Sequence, residues 1–358
     1  MTFDVSLKAW LALSLTRGLG GESARRLLKE FGSPDAVFAA SISSLRSVVK
    51  ADIAAEISKG IADDVIAPAL AWLEDSNNHI VTLADSDYPQ ALLNIPDPPL
   101  LLYVKGRLDL LNRSALAIVG SRSATPQGIN NAEAFAKSLS DAGLCIISGM
   151  AHGIDAAAHR GAMRGQGSSI AVVGTGLDKV YPAANRDLAH ALAQQGALIS
   201  EFPLGTPPLA ANFPRRNRLI SGMSLGCLVV EASLQSGSLI TARLALEQGR
   251  DVFAIPGSIH APQSKGCHAL LKQGAKLVET AQDILEELGG LLVSPAQGAN
   301  SEGPDSALLE HLGFDPVDVD TLSVRCGLTI AELSAMLLTL ELNGRICVLP
   351  GGLYQRIH

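Results

Sequence analysis

Seven short apolar runs follow one another through the middle of the chain, separated by segments long enough to form helices. The runs are ALAIV, LCIIS, SIAVV, ALIS, CLVVEA, DVFAIPG and KLVET. Strands that are apolar on both faces are typical of a parallel sheet covered by helices on each side. Together with the glycine-rich turns that follow several runs, the pattern predicts an α/β fold with a Rossmann-like, doubly wound parallel sheet over residues 113–288.

The residues on either side of this sheet predict four further segments. β-Branched runs are scarce in the first eighty residues, and the prolines of DYPQALLNIPDPPLLLYVKG exclude a long helix there. The last fifty residues give two helices with a turn at Gly327, then a hairpin with its turn at Pro350-Gly351-Gly352. The predicted segments are an N-terminal helical domain (1–80), a proline-rich connector leading into the sheet (81–112), a linker rich in small residues (289–304) and a C-terminal winged-helix domain (305–358).

The N-terminal domain contains two helical segments broken by Gly18-Leu19-Gly20-Gly21. This pattern suits a helix-hairpin-helix, whose glycine turn can offer backbone N–H groups to a phosphate. A small SAM-like helical packing module accounts for the same residues, so contact with DNA stays open.

The formal net charge is −7 over 358 residues. This balance excludes a generally basic surface, so an anionic partner must bind at a local patch. The five cysteines show no CxxC spacing, which favours buried thiols in a reducing cytoplasm over disulfides or zinc ligands. No signal pattern and no apolar stretch of about 18 residues is found, so we expect a cytoplasmic protein without membrane insertion.

Glycines and hydroxyls follow several of the predicted strands. In a doubly wound sheet the ligand lies beyond the carboxyl ends of the strands, and backbone amides at a helix start attract anions. GSRSATPQG follows the first run, with Thr125 as a helix N-cap and Pro126 as the first helical residue. The residues that line these strand ends are Gly120, Ser121, Arg122, Gly149, Gly174, Ser236, Gly237 and Ser238.

His152, Asp155 and His159 stand in the loop and helix after the second run. Asp155 and His159 are four residues apart on a predicted helix, a spacing that could hold a metal ion. Two histidines and one carboxylate without a second cluster do not favour a metal site, and we expect neither a metal nor another cofactor.

Three arginines occur within four positions in FPRRNRLISG, just before the fifth run. With a helix starting near Arg215, Leu219, Ile220 and Met223 form its buried stripe and Arg216 falls on that stripe. We expect Arg216 to reach the strand ends and to pair with a buried carboxylate, Glu231 being the nearest candidate, or with a bound phosphate. Arg215 and Arg218 lie to one side, where we expect exposed anion-binding positions.

These motifs together resemble those of the DNA-processing protein A family, DprA or Smf. The resemblance rests on GSRSAT, SGMAHGIDAAAH, GTGLDKVYP, FPRRNRLISG, EASLQSGSLITARLALEQGRDVFAIPG and GCHALLKQGA in this order, with the lead-in DYP…DPPLLLYVKG. It implies a dimeric protein that binds single-stranded DNA and loads the RecA recombinase onto it during natural transformation, with no catalytic activity.

The resemblance also assigns residues to a basic DNA pocket. The implied pocket residues are Gly120, Ser121, Arg122, Phe213, Arg215, Arg216, Asn217 and Arg218, with Lys265 near the rim. Where the family usually has a Thr-Asn pair, this chain has Cys267-His268, which puts a polar contact from that loop in doubt.

The C-terminal domain resembles the winged helix that some family members carry, but its charge does not suit DNA. Its candidate recognition helix, TIAELSAMLLTLELNG, contains two glutamates and no Lys or Arg, and from Ser301 onward acids outnumber Lys and Arg by eight to three. Because phosphates would repel such a helix, we interpret this domain as a protein-interaction or regulatory module.

An enzyme is the alternative to a binding protein. The same architecture resembles the nucleoside-monophosphate phosphoribohydrolases, in which a catalytic Glu follows a phosphate-binding loop. In the matching stretch SGSLITARLALEQG, Thr241 stands in the first turn and Glu247 comes two turns along, which leaves no general acid or base in reach. We therefore expect a non-enzymatic protein in which Phe213 and Tyr181 are the candidate stacking aromatics.

Overall fold

Contacts between residues divide the chain into two units, Met1–Val293 and Ser294–His358. The computed structural model describes residues 5–289, 308, 312, 317–342, 346–349 and 353–356. Nearly all of the predicted linker (289–304), and the turn Pro350-Gly351-Gly352, lie outside the described residues. The domain boundaries derived from the sequence remain predictions.

One mixed sheet organises the first unit. Within the described residues its strands are β1 (Asn78–Thr82), β2 (Leu101–Gly106), β3 (Ala115–Val119), β4 (Cys145–Ser148), β5 (Ser169–Val172), β6 (Ala197–Ser200), β7 (Gly226–Val229), β8 (Asp251–Ala254) and β9 (Lys276–Leu277). Their spatial order is β1-β2-β6-β5-β4-β3-β7-β8-β9. The strands from β3 to β9 pair in parallel, and all seven apolar runs form strands as predicted.

Helices cover the sheet and form most of the chain before it. Their bounds are α1 (Val5–Leu15), α2 (Gly21–Phe31), α3 (Pro34–Ala39), α4 (Ile42–Arg46), α5 (Ala51–Lys59), α6 (Asp63–Trp72), α7 (Pro126–Asp141), α8 (Ile154–Ala162), α9 (Arg186–Gln195), α10 (Asn212–Gly222), α11 (Ser238–Glu247), α12 (Lys265–Lys272) and α13 (Ala281–Leu288). Short 3-10 turns span Gln90–Asn94, Leu108–Leu110, Ala183–Asn185 and Pro262–Ser264.

The two faces of the sheet pack against different helices. Alternate residues of β3 point to opposite faces, so Ala117 packs with α10, α11 and α12 whereas Leu116 packs with α7, α8 and α13. All five residues of β3 are buried. Burial on both faces explains the continuous apolar runs and gives the doubly wound architecture that the sequence predicts.

The predicted connector over residues 81–112 is instead part of the sheet. β1 and β2 pair antiparallel to each other, and β2 pairs antiparallel to β6, so that Tyr103 lies opposite Ser200. The sequence interpretation missed these two strands. The prolines of the connector lie between them, where they interrupt no ladder hydrogen bond. The last residues of the predicted N-terminal helical domain likewise belong to β1.

The helices α1 to α6 precede the sheet and share a core with it. Leu11 of α1 and Ile66 of α6 pack with Leu101 and Tyr103 of β2. The glycine turn Gly18–Gly21 separates α1 from α2 as predicted. Beside it, Arg25 of α2 forms an ion pair of 2.7 Å with Asp97.

The second unit contains a helical pair and a small antiparallel sheet. Its described elements are β10 (Val317–Asp318), α14 (Val319–Cys326), α15 (Ile330–Leu342), β11 (Ile346–Leu349) and β12 (Leu353–Arg356). The strand order is β10-β12-β11, and Leu322, Leu333 and Leu337 form its core. Gly327 ends α14 in the left-handed conformation, with φ 66°. This is the winged-helix arrangement that the sequence predicts.

In the part of the chain that the structure describes, no helix combines the length and the apolar character that crossing a membrane requires.

Candidate functional site

The sheet changes direction between β3 and β7. From β3 the chain moves outward through β4, β5 and β6, and it then returns to place β7 on the other side of β3. Ligands of doubly wound sheets bind at this switch point, beyond the carboxyl ends of the strands. A pocket of about 710 Å³ opens here, and we call it the switch-point pocket.

The switch-point pocket is lined by the loops after β3, β4 and β7, by residues of α8, α10 and α11, and by parts of the loops after β5, β6 and β8. Its described lining residues are Val119, Gly120, Ser121, Arg122, Ser123, Ala151, Asp155, Tyr181, Pro208, Ala210, Phe213, Pro214, Arg216, Asn217, Ile220, Ser233, Ser236, Gly237, Ser238, Ile240, Thr241 and Gln263.

Nine of the fourteen predicted site residues are brought together in this pocket. They are Gly120, Ser121, Arg122, Phe213, Arg216, Asn217, Ser236, Gly237 and Ser238. The other five, Gly149, Gly174, Arg215, Arg218 and Lys265, do not line it. Three segments far apart in the chain thus meet because parallel strands place their carboxyl ends at one edge of the sheet.

Arg122 is an exposed cation at the mouth of the pocket. Its guanidinium carbon lies 5.8 Å from the centre of the Phe213 ring, a cation–π distance. Arg122 has no ion-pair or hydrogen-bond partner among the described residues. Its charge is therefore available to a ligand.

Phe213 and Tyr181 form an aromatic pair beside Arg122. Their ring centres are 5.7 Å apart, and the ring planes are tilted by 40°. A Cβ atom on Gly174 would lie 3.1 Å from Cδ1 of Phe213, so this glycine lets the ring pack close to the backbone. The two candidate stacking aromatics of the sequence analysis are thus adjacent.

Arg216 is almost completely buried, with 4% of its surface exposed. Its Nη1 donates a hydrogen bond of 2.5 Å to the carbonyl oxygen of Val172 at the end of β5. Burial lowers the pKa of Arg216 to about 10, and the nearby Asp155 charge opposes that shift. Among the described residues, its Nε has no hydrogen-bond partner. Arg216 therefore stays charged at neutral pH with a donor unused.

Gly149 does not line the pocket, but it makes room for Arg216. A Cβ atom at position 149 would lie only 2.2 Å from Nη1 of Arg216, closer than real atoms approach. Any side chain there would displace the guanidinium. Gly149 thus acts on the pocket through Arg216.

The helix that carries Arg216 begins earlier than the sequence predicts. α10 starts at Asn212 rather than near Arg215, and Pro214 falls in its first turn. Proline is tolerated there because the N–H groups of the first turn have no partner within the helix. Leu219, Ile220 and Arg216 are buried together, so the predicted stripe is confirmed.

Glu231 was the wrong candidate for the partner of Arg216. Its carboxylate accepts hydrogen bonds from the N–H of Thr125 (2.9 Å) and from the Thr125 hydroxyl (2.5 Å), at the start of α7. Thr125 is the N-cap of α7 and Pro126 its first residue, as predicted. The start of α7 is therefore occupied by a protein carboxylate and is not open to an anion from solution.

Asp155 and His159 are engaged in other contacts than metal binding. The Asp155 carboxylate accepts hydrogen bonds from the N–H groups of Gly149 (3.2 Å) and Ala151 (3.3 Å). Burial raises its pKa, and the Arg216 charge opposes this. His159 shares a hydrogen bond of 2.8 Å with Ser169, and burial lowers its pKa to about 3, so it is neutral at pH 7. No group of three potential metal ligands occurs among the described residues.

The loop Ser236–Ser238 brings hydroxyl groups and the start of α11 to the pocket. α11 begins at Ser238, whose N–H donates to the Ser236 hydroxyl at 3.4 Å. The hydroxyls of Ser236 and Ser238 are 2.7 Å apart and bond to each other. Two hydroxyls at a helix start are a suitable place for one phosphate oxygen.

Arg215 and Arg218 are held outside the pocket by Glu201. Arg215 Nη2 lies 2.9 Å and Arg218 Nη2 lies 2.5 Å from Oε2 of Glu201. Arg218 Nε is also 3.6 Å from Asp97. The Arg218 side chain is 12% exposed, so the expectation of an exposed anion-binding residue is wrong for this position.

The importance of Glu201 was missed at the sequence level, although it directly follows the run ALIS. Its side chain is 3% exposed. Burial raises the pKa of Glu201, and the charges of Arg218 and Arg215 oppose that shift. Its position at the carboxyl end of a predicted strand is the sequence signal that points to it.

Lys265 and the Cys267-His268 pair lie beside the pocket. Lys265 is exposed at the start of α12, two residues beyond Gln263, which lines the pocket. Cys267 is buried with its thiol facing Val229 and Val230, and His268 bonds to the carbonyl oxygen of Gly257 at 3.0 Å. The pair thus makes contacts within the protein.

Comparison with known proteins identifies both units. Residues 79–289 match the family model described as DNA recombination-mediator protein A, and residues 293–352 match the DprA winged helix domain. The chain is 47% identical to Protein Smf of Escherichia coli, over 82% of this chain and 81% of that protein. It is 48% identical to the DNA processing protein DprA of Streptococcus pneumoniae, over 58% of this chain and 73% of that protein.

Two solved structures are similar in fold. DNA processing protein A from Streptococcus pneumoniae matches with a TM-score of 0.70 and 38% identity, over 78% of this chain and 97% of that one. DNA processing protein A from Helicobacter pylori, whose structure is described as giving insight into its single-stranded DNA binding mode, matches with a TM-score of 0.54 and 31% identity, over 59% of this chain and 96% of that one.

Proposed function

Because this chain belongs to the DNA recombination-mediator protein A family, we propose that it binds single-stranded DNA in the switch-point pocket and delivers the strand to the RecA recombinase in natural transformation or recombination. The Helicobacter pylori relative, whose single-stranded DNA binding mode is the subject of its structure, supports the nature of the ligand.

The observation that carries this proposal is the unpaired Arg122 next to the Phe213 ring. A nucleotide presents a negative phosphate and an apolar base, and this pair offers a cation and an aromatic face 5.8 Å apart. Tyr181 extends the aromatic surface. A base must be unstacked to lie against such rings, so the pocket favours a single strand over a duplex.

The other groups in the pocket favour phosphate contacts that do not depend on sequence. The Ser236 and Ser238 hydroxyls, the start of α11 and the buried Arg216 cation can each face a backbone oxygen. The Asn217 amide also lines the pocket and has no hydrogen-bond partner among the described side chains. Contacts of this kind hold a strand without reading its bases.

Catalysis is not supported by this geometry. Glu247, the acid that a phosphoribohydrolase would need, is the last residue of α11, whose first residue lines the pocket. Glu247 is nine residues beyond Ser238, which places it roughly 13 Å further along the helix axis. Asp155 does line the pocket, but its carboxylate is already bonded to two backbone N–H groups. We therefore propose a binding protein without an enzymatic activity.

We propose a homodimer and the RecA recombinase as the protein partners, on the strength of the family resemblance. The test for the recombinase is its assembly on single-stranded DNA that is already coated with a single-strand binding protein. Addition of this protein is expected to accelerate that assembly. An unchanged rate would contradict the delivery role and would leave DNA binding itself unaffected.

DNA binding is tested by gel shift with one oligonucleotide, single-stranded or annealed to its complement, at two salt concentrations. We expect tighter binding to the single strand, and a fall in affinity with salt of about 0.7 in the log–log slope for each phosphate contact. Equal affinity for the duplex would contradict the proposal. Release of free base from nucleoside monophosphates would establish the enzymatic alternative instead.

A further inference from the structure

A second cavity, of about 520 Å³, lies on the other side of the loop that carries Tyr181. The end of α6, the sheet edge at β1 and β2, the helix α9 and the loop before Tyr181 surround it. The residues on which the inference depends are Trp72, Lys105, Lys179, Val180, Arg186 and His190.

The two cavities lie on either side of two loops, in each of which one residue lines one cavity and its neighbour lines the other. Val180 lines the second cavity, whereas the next residue, Tyr181, lines the switch-point pocket. Met150 and Ala151 are divided between the cavities in the same way. Val180 is 37% and Tyr181 46% exposed, so the ridge between the cavities presents apolar and aromatic surface to solvent. A strand that leaves the first pocket across this ridge enters the second.

Among the described residues, an unpaired arginine and an exposed histidine line the α9 side of the second cavity. Arg186 and His190 stand four residues apart on α9, are exposed, and have no hydrogen-bond or ion-pair partner among the described residues. Lys179 donates to the carbonyl oxygen of Gly205 (2.5 Å).

The two acids that line the cavity each lie beside a lysine. Asp75 forms an ion pair of 3.2 Å with Lys105. Asp178 directly precedes Lys179 and accepts a hydrogen bond of 2.8 Å from the N–H of Gly205, a neutral donor, so its charge offsets that of Lys179. The net positive character therefore lies at Arg186, where a phosphate would be attracted.

Trp72, the last residue of α6, supplies an aromatic surface to the cavity. The ring is partly exposed and packs edge-on against Tyr103, with 5.8 Å between ring centres and an angle of 67°. The Trp72 carbonyl oxygen accepts a hydrogen bond of 2.7 Å from Asn78, which fixes the end of α6. An indole held in this way is a stacking surface for a base of any type.

We propose that this second cavity is a further nucleotide subsite for the same single strand, in which a base stacks on Trp72 and a phosphate pairs with Arg186. The inference rests on the proposed function, because the strand reaches the subsite from the switch-point pocket. It accounts for the placement of a tryptophan and of an unpaired arginine beside a chain segment that also lines that pocket.

The first test measures affinity against strand length, with oligothymidylates of about five and about twenty nucleotides, which bracket the usual site sizes. Arg186→Ala is expected to lower the salt slope for the long strand by about 0.7 and to leave the short strand unchanged. Arg46→Ala, which removes an exposed arginine in α4 without a partner among the described residues, is the matched control. Equal slopes for Arg186→Ala and Arg46→Ala on the long strand would overturn the subsite.

The second test uses the tryptophan signal. The chain has two tryptophans, and Trp10 is buried in the N-terminal helices. In a Trp10→Phe variant, the long strand is expected to quench Trp72 fluorescence. Trp72→Leu should weaken binding of the long strand by roughly five- to a hundredfold, whereas Trp72→Phe should retain most of the affinity. A matching melting temperature and unchanged short-strand affinity establish that Trp72→Leu is folded.

The outcomes separate this inference from the proposed function. If the wild-type protein binds neither oligonucleotide, the proposed function fails. If it binds both, and Trp72 is not quenched by the long strand, only the subsite fails. Quenching by thymidine monophosphate without quenching by the long strand would identify a site for free nucleotides and would overturn the proposal.

Discussion

Arg216 and Arg218 stand two residues apart on the same helix, yet Arg216 lines the switch-point pocket and Arg218 pairs with two carboxylates. Two helical positions differ by about 200° around the helix axis, so the side chains enter different surroundings. Arg122, from another loop, joins Arg216, whereas Glu201 and Asp97 surround Arg218. The number of arginines in a run therefore does not give the charge available to DNA, because nearby acids neutralise part of it.

Within the pocket, Arg122 and Arg216 differ in their surroundings. Arg122 is exposed and contacts one aromatic ring, whereas Arg216 is buried beside Asp155 and bonds to the end of β5. We therefore expect Arg122 to contribute to binding alone, and Arg216 to contribute to both binding and stability.

The largest effect is expected from Arg216→Ala. Its removal leaves the buried Asp155 without the compensating charge, so we expect the free energy of unfolding to fall by about 3–5 kcal/mol. Urea unfolding of the variant measures this loss. Arg122→Ala is the matched control and should unfold like the wild type. If both variants unfold at the same urea concentration, the prediction that Arg216 stabilises the fold is wrong.

An intermediate effect is expected when DNA binding by Arg122→Ala is compared with DNA binding by Arg218→Ala. Arg122→Ala should lower the salt slope for single-stranded DNA by about 0.7, because one phosphate contact is lost. Arg218→Ala should leave the slope unchanged, since its charge is already paired with Glu201. Affinities at several salt concentrations give both slopes. An equal decrease for the two variants would mean that Glu201 releases Arg218 when DNA binds.

The smallest effect is expected from removal of the C-terminal unit. α15 carries Glu332 and Glu341 and no Lys or Arg, so it lacks the charge that attracts a phosphate backbone. A chain ending at Gly298 should bind single-stranded DNA as tightly as the full chain, or slightly more tightly. Measurement of both chains on one oligonucleotide provides the test. A loss of tenfold or more, about 1.4 kcal/mol, would show that this unit contacts DNA.

Much of the fold could be predicted from the sequence because it follows from local pattern. The run ALAIV is apolar on both faces and becomes the fully buried β3, and Thr125-Pro126 starts α7 as capping rules require. The buried position of Arg216 likewise follows from helical periodicity. Strand pairing is harder to predict from the sequence. β2 joins the sheet antiparallel to β6, and nothing in its local sequence specifies that partner.

Local sequence patterns are sufficient to predict the doubly wound sheet, the strand ends at which such sheets bind ligands, and the arginines near those ends. Which of those arginines are free depends on the tertiary structure. Glu231 bonds to Thr125 at the start of α7 rather than to Arg216, and Glu201 neutralises Arg215 and Arg218. The reason is physical: periodicity depends on backbone geometry within a few residues, whereas ion pairing depends on distances between side chains that are brought together only by the packing of the whole sheet.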